Sequence, residues 1–231
     1  MFIGKIVKSY SHINYVCQIY GSCDVEIPPN PTDYAFGRFV WVAVNSRIMD
    51  ESAIEGGSTV DKQDKCLSYV VGLIYDTTLL NPAFGLLGPR LSNETQVEIF
   101  SPDYISEIAI LSHVFMLGII ERHVLPEDIS RIRVIHGIPS LSPALGSRIE
   151  TMGDEDVRLF HYFSDHEATD AQKEYLHMGY LPHMINQQNS LLTMAVLRII
   201  DQLEYLFPQN LTLLSIVKRN FAWRLKVETT G

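Results

Sequence analysis

The residues with the most chemical capacity lie in the last third of the chain. His161 and His166 are five apart, with Glu167 beside the second, and His177 and His183 are six apart on either side of Gly179 and Pro182. Imidazole and carboxylate are ordinary zinc ligands, so a metal-dependent enzyme is one function these residues would support. The spacing works against it. Residues five apart do not share a helix face, and the His-Glu-x-x-His run of many zinc enzymes is absent. The plainer expectation is histidines at the surface or between helices, with no metal held. Cys17, Cys23 and Cys66 form no Cys-x-x-Cys pair, which fits reduced thiols filling small spaces in a core. Phosphate chemistry lacks its usual loop. Gly4-Lys5 has neither the upstream glycine nor the following Ser or Thr, and no Gly-x-Gly-x-x-Gly or Gly-x-Ser-x-Gly motif occurs. No catalytic residue is assigned, and no cofactor is expected.

Two other groups could make contacts. Lys218, Arg219, Arg224 and Lys226 are the densest basic cluster, with Phe221 and Trp223 among them. Cations at the C-terminal end of a helix complement its dipole. Basic residues interleaved with aromatics can also follow a nucleic-acid strand, so these four are candidate nucleic-acid contacts and a stand-alone nucleic-acid-binding barrel is an alternative function. The chain carries 18 basic and 27 acidic residues, a net charge of −9, which opposes nucleic-acid binding over the whole surface. The second group is apolar. Residues 79–91 are rich in leucine yet hold two prolines and two glycines, so the segment is expected to cover a barrel mouth or meet another subunit. Phe84, Leu86 and Leu87 are its candidate interface residues.

These groups need a scaffold. A chain of 231 residues with 46% hydrophobic and 19% charged residues can bury a core without disulfide or metal. No apolar run approaches a membrane span, and the first residues lack a charged leader followed by a long apolar stretch. Cytoplasmic location and no membrane partner are the expectation.

Residues 1–150 read as β structure. Residues 3–10 are rich in Ile, Val and Tyr. Ile13, Tyr15, Cys17 and Ile19 recur with the period of a half-buried strand. Residues 39–44, 67–75, 108–120 and 131–135 are further strand candidates, and Gly72 inside one of them marks a bulge or bend. Residues 46–65 hold five acidic and three basic residues with Gly56-Gly57, and read as an exposed loop. From Thr151 the period becomes helical. A capping box at Thr151–Asp154 is expected to start a helix over 155–163. Thr169 or Asp170 would cap a second helix through His177. Asn189 or Ser190 would cap a third through Phe207, and Asn210 a fourth over 211–226. Leu192, Val196, Ile199 and Leu203 should face Leu214, Val217 and Phe221 in an antiparallel hairpin. The expected fold class is β + α: a small closed N-terminal β-barrel over 1–150, then a C-terminal helical domain over 151–231.

The β half resembles a known family. Ile3-Gly4-Lys5-Ile6-Val7 is similar to the opening strand of the HerA/ATP-synthase (HAS) barrel. Phe36-Gly37-Arg38-Phe39-Val40-Trp41-Val42 resembles its step from glycine into an apolar strand. Val70-Val71-Gly72-Leu73-Ile74-Tyr75 and Met116-Leu117-Gly118-Ile119-Ile120 are similar to later strands, and Ile138-Pro139 with Leu145-Gly146-Ser147 to the exit segment before the ATPase core. Where a HerA-type translocase continues into a P-loop core, this chain turns helical, so no ATPase activity carries over. The resemblance implies assembly: a homo-oligomer, or a complex with a separate HerA-type ATPase or nuclease in DNA processing or defence.

Overall fold

The computed structural model describes residues 1–44, 65–80, 109–124, 130–164 and 174–230. Phe84, Leu86, Leu87, His166 and nearly all of the acidic loop lie outside them.

Seven strands form the main sheet: β1 (Phe2–Ser9), β2 (Asn14–Ile19), β3 (Phe39–Val44), β4 (Lys65–Leu80), β5 (Ala109–Val124), β6 (Ser130–His136) and β7 (Arg148–Thr151). β1 pairs with β2 and β7, β7 with β3, β3 with β4, and β4 with β5; β5 then returns to β2 and closes a six-stranded antiparallel barrel. Closure leaves those six strands without an open edge along the ring. β6 lies outside the ring. The first half of β5 pairs with β2 and its second half, from Gly118 onward, pairs with β6.

The change of partner happens at a bulge. Val71 faces Gly118 while Gly72 faces Met116, which leaves Leu117 as the extra residue. Only glycine fits at this crossing. A Cβ on Gly118 would fall 2.2 Å from the carbonyl oxygen of Ile135, and one on Gly72 would fall 2.6 Å from a Val114 methyl. The expectation that Gly72 marks an irregularity is met, and Gly118 shares the task.

Two cores lie on opposite sides of the barrel wall. Ile3, Ile6, Tyr15, Cys17, Val40, Val42, Val70, Ile74, Val114 and Met116 fill the interior. Tyr34, Ile110 and Leu141 pack against that cluster, and Tyr15 and Ser142 share a hydroxyl–hydroxyl hydrogen bond. The proline- and glycine-rich segment 137–147 therefore folds over the barrel and leads into β7, a barrel strand, rather than out of it. On the outer wall, Phe39, Val71, Leu73, Phe115 and Leu117 meet the helices. Strands buried on both faces read as near-continuous apolar runs, which is why β3, β4 and β5 are so apolar in sequence.

Three readings of the helical part change. α1 spans Asp154–His161 and begins at Gly153, not at a Thr151 cap. Thr151 belongs to β7, where its hydroxyl accepts from Arg38 Nε at 2.9 Å; the Asp156 carboxylate instead accepts from the Gly153 N–H at 3.2 Å. α1 stops at His161 because Tyr162–Ser164 (β8) pairs with Glu174–Leu176 (β9). The helix expected through His177 is thus a strand at its described end, where strand pairing overrides helix period. A short helix follows, α2 (Leu181–Ile185).

The last two helices match their patterns. Asn189 Oδ1 accepts from the N–H groups of Leu191 and Leu192 at 2.9 and 3.4 Å and starts α3 (Ser190–Leu206). Pro208–Asn210 forms a single 3₁₀ turn, and α4 (Leu211–Thr230) returns along α3. Leu192, Val196, Ile199, Leu203 and Leu214 are buried together, with Val217 and Phe221 packed against them. The α3 stripe also lies on the outer wall of the barrel, so hairpin and barrel share one continuous core. Among the described residues no helix is long and apolar enough to cross a membrane.

Candidate functional site

The histidines come together, though not as a set of ligands. β6 ends in His136, α1 ends in His161, and β9 leads to His177. His161 is fully buried. Its Nδ1 bonds the Val157 carbonyl one turn back at 2.7 Å, so it carries the proton, and its Nε2 accepts from the Tyr180 hydroxyl at 2.6 Å. His136 Nδ1 accepts from the Gly179 N–H at 3.0 Å, while Nε2–H donates to the Phe160 carbonyl at 2.7 Å. The His177 ring stacks on His136 at 4.3 Å between centroids. Both ring nitrogens of His136 and His161 are thus occupied by protein partners. Burial, countered by the backbone hydrogen bond and reinforced by neighbouring imidazoles, brings His161 down to about 3 and His136 down to about 4. Both rings are neutral at physiological pH, and burial pushes the Tyr180 hydroxyl well above its usual range. His183 stands apart, its ring 4.8 Å from that of Phe115. Among the described residues no three His, Cys, Asp or Glu side chains are placed to hold a metal. The histidine cluster joins β6, α1 and the chain before α2, with His161 buried and His177 at the surface.

The basic cluster is divided by α4. Lys218 turns toward α3 and bonds Asp201 at 2.7 Å and Glu204 at 2.8 Å. These two partners, Asp201 first, hold its ammonium above the usual lysine range. Its charge thereby serves the hairpin. Arg219 is exposed on α4. Arg224 and Lys226 occupy later positions of the same helix.

The outward side of α4 carries a feature the sequence reading did not separate. Leu213, Ile216 and Trp223 are 47%, 53% and 69% exposed. With the exposed Asn220 they follow spacings of three, four and three, the rhythm of one helix face. α4 is therefore apolar on two sides, one packed into the hairpin through Leu214, Val217 and Phe221 and one open. His136, Tyr180, Leu213, Ile216 and Asn220 were not among the expected functional residues. The spacing of the last three was present in the sequence; nothing local pairs His136 or Tyr180 with His161.

Cys17 fills space in the barrel interior, where desolvation raises its thiol far above the ordinary range, whereas Cys23 is exposed and is not the core filler expected. Neither has another cysteine as partner among the described residues.

A filled, closed antiparallel barrel carrying a helical hairpin on its wall, with an open apolar helix face and a half-open cleft of about 320 Å³ lined by Glu155, Arg158, Tyr162 and Gln209 beside Leu206 and Phe207, defines a barrel-and-helix protein. The chain belongs to the family described as a domain of unknown function, DUF8166, whose model matches residues 1–230. No protein with a curated description matches it.

Proposed function

We propose that this chain is a non-catalytic assembly or adaptor protein, a HAS-like barrel that partners a separate HerA-type ATPase or nuclease in DNA processing or defence. The observation that carries the reading is the open apolar face of α4 on a barrel whose interior is packed with side chains. A barrel filled in this way offers contacts through its outer surface, not through a ligand cavity. The resemblance supplies the class of partner. Its motifs at Ile3–Val7, Val70–Tyr75 and Met116–Ile120 fall in β1, β4 and β5, and the motif Phe36–Val42 runs through Gly37 into β3; all four strands belong to the closed ring. A homo-oligomer built through the barrel half, with Phe84, Leu86 and Leu87 at the contact, belongs to the same reading.

The test is association and turnover. The purified full chain, incubated with ATP, should release no phosphate above background. Mixed with a HerA-type ATPase from the same genome, it should elute as a stable mixed complex. Turnover by the chain alone, or two components that never co-elute, overturns the proposal.

A further inference from the structure

We propose that the outer face of α4 binds an acidic amphipathic helix of a partner protein, forming a two-helix seam. This deepens the adaptor reading and rests on it. Leu213, Ile216, Asn220 and Trp223 occupy alternating spacings of three and four on the exposed side of a twenty-residue helix. That is the a/d rhythm of a coiled-coil seam, and a single polar asparagine among its apolar positions fixes register and partner. Val227 continues the spacing in the sequence.

Charge selects the occupant. Arg219 directly precedes Asn220, Arg224 directly follows Trp223 and Lys226 directly precedes Val227. These are the flanking positions that set partner choice in such a seam. From Leu211 to Val227 the helix contains no carboxylate. A second copy of this chain would set arginine against arginine or lysine in either orientation, and like charges across a helix seam are repulsive. A helix with Glu or Asp at its flanks makes the opposite pairing. Nucleic acid fits less well. Of the face residues only Trp223 offers a ring for a base to stack on, and Lys218 is already held by Asp201 and Glu204. An anionic lipid surface offers no counterpart for Asn220 in the middle of the apolar face.

The experiment uses the full chain and fluorescently labelled four-heptad peptides. One peptide has Leu at a and d, a single Asn at a, and Glu at e and g; a second is identical with Lys replacing Glu. Anisotropy should show saturable binding of the Glu peptide, weakened by added salt, and none of the Lys peptide. Ile216→Asp, at an exposed site, should keep the wild-type circular dichroism and abolish binding. Arg219→Glu with Arg224→Glu should weaken the Glu peptide by about tenfold or more and bring the Lys peptide into range. Equal binding of both peptides, or none of either, overturns the proposal. So does binding to anionic vesicles or single-stranded DNA that Ile216→Asp abolishes while the Glu peptide stays unbound. A dimer by light scattering that Ile216→Asp dissociates also overturns it, in favour of a second copy. If a HerA-type ATPase co-elutes equally with wild type and Ile216→Asp, the adaptor reading stands and this site falls. If no ATPase or nuclease co-elutes while the Glu peptide binds, the site stands and the adaptor reading loses its partner.

Discussion

His161 shows how a residue that could do chemistry is held to structure instead. Its two nitrogens face Val157 and Tyr180, and the ring is sealed between Phe39, Phe160 and Phe207. His136 is held in the same way by Phe160 and Gly179. Both are neutral in the folded protein far below the pH at which an unfolded histidine, near 6.5, takes up its proton. The unfolded chain therefore binds more protons in this window, and folding is favoured as pH rises. Stability should be independent of these two groups above about pH 7.5. It should decline as pH falls below 6.5, by up to about 1.4 kcal/mol per pH unit for each ring. The slope eases once His136 titrates in the folded state near 4 and His161 near 3. Urea unfolding across this range checks it; equal stability at pH 7 and pH 5 would contradict it. His161→Phe should remove one proton from the dependence. It should also cost about 1–3 kcal/mol at pH 7.5, because the buried Tyr180 hydroxyl loses its acceptor.

At the scale of elements, the long-period patterns were readable and the short ones were not. The run Phe39–Val44 is β3 to the residue, because β-branched and aromatic residues bounded by Gly37 admit little else. Asn189 starts α3 as its side chain suggests. The pair β8–β9 was hidden, since three-residue strands carry too few residues to display a period and their pairing, not local preference, ends α1. The second face of α4 was hidden for another reason: Leu213 and Ile216 look like part of one apolar helix until the hairpin shows which side is used. Two substitutions probe these elements. Leu203→Ala, in a fully buried position between α3 and the barrel wall, should cost about 2–5 kcal/mol by denaturant unfolding; a change within about 0.5 kcal/mol would mean the stripe is not packed. Gly118→Ala places a methyl against the Ile135 carbonyl and should cost about 1–3 kcal/mol. Gly153→Ala, whose new methyl meets nothing closer than Asp156 Oδ2 at 3.5 Å, should stay within about 0.5 kcal/mol. Equal losses at the two glycines would show that β5 does not cross β6 so closely.

For the whole molecule, the barrel supplies a rigid, filled body and the helices extend its core outward. Such a body suits a part that holds others in place: side chains fill its interior, and the open side of α4 is one surface it offers to a partner. The apolar runs of β1, β3, β4 and β5 were legible as strands, while the return of the chain from segment 137–147 into the barrel through β7 was not, because its prolines and glycines hide the short strand that follows. Replacing Phe84 and Leu86 by glutamate separates interface from plug. An interface should lose solution mass with little change in melting temperature, whereas a plug should lose stability at constant mass. The most direct measurement is light scattering of the full chain, alone and mixed with a HerA-type ATPase. The mixture should form a stable complex whose mass exceeds that of either component. A chain that remains monomeric by itself and in every mixture, including with a companion nuclease, would contradict it.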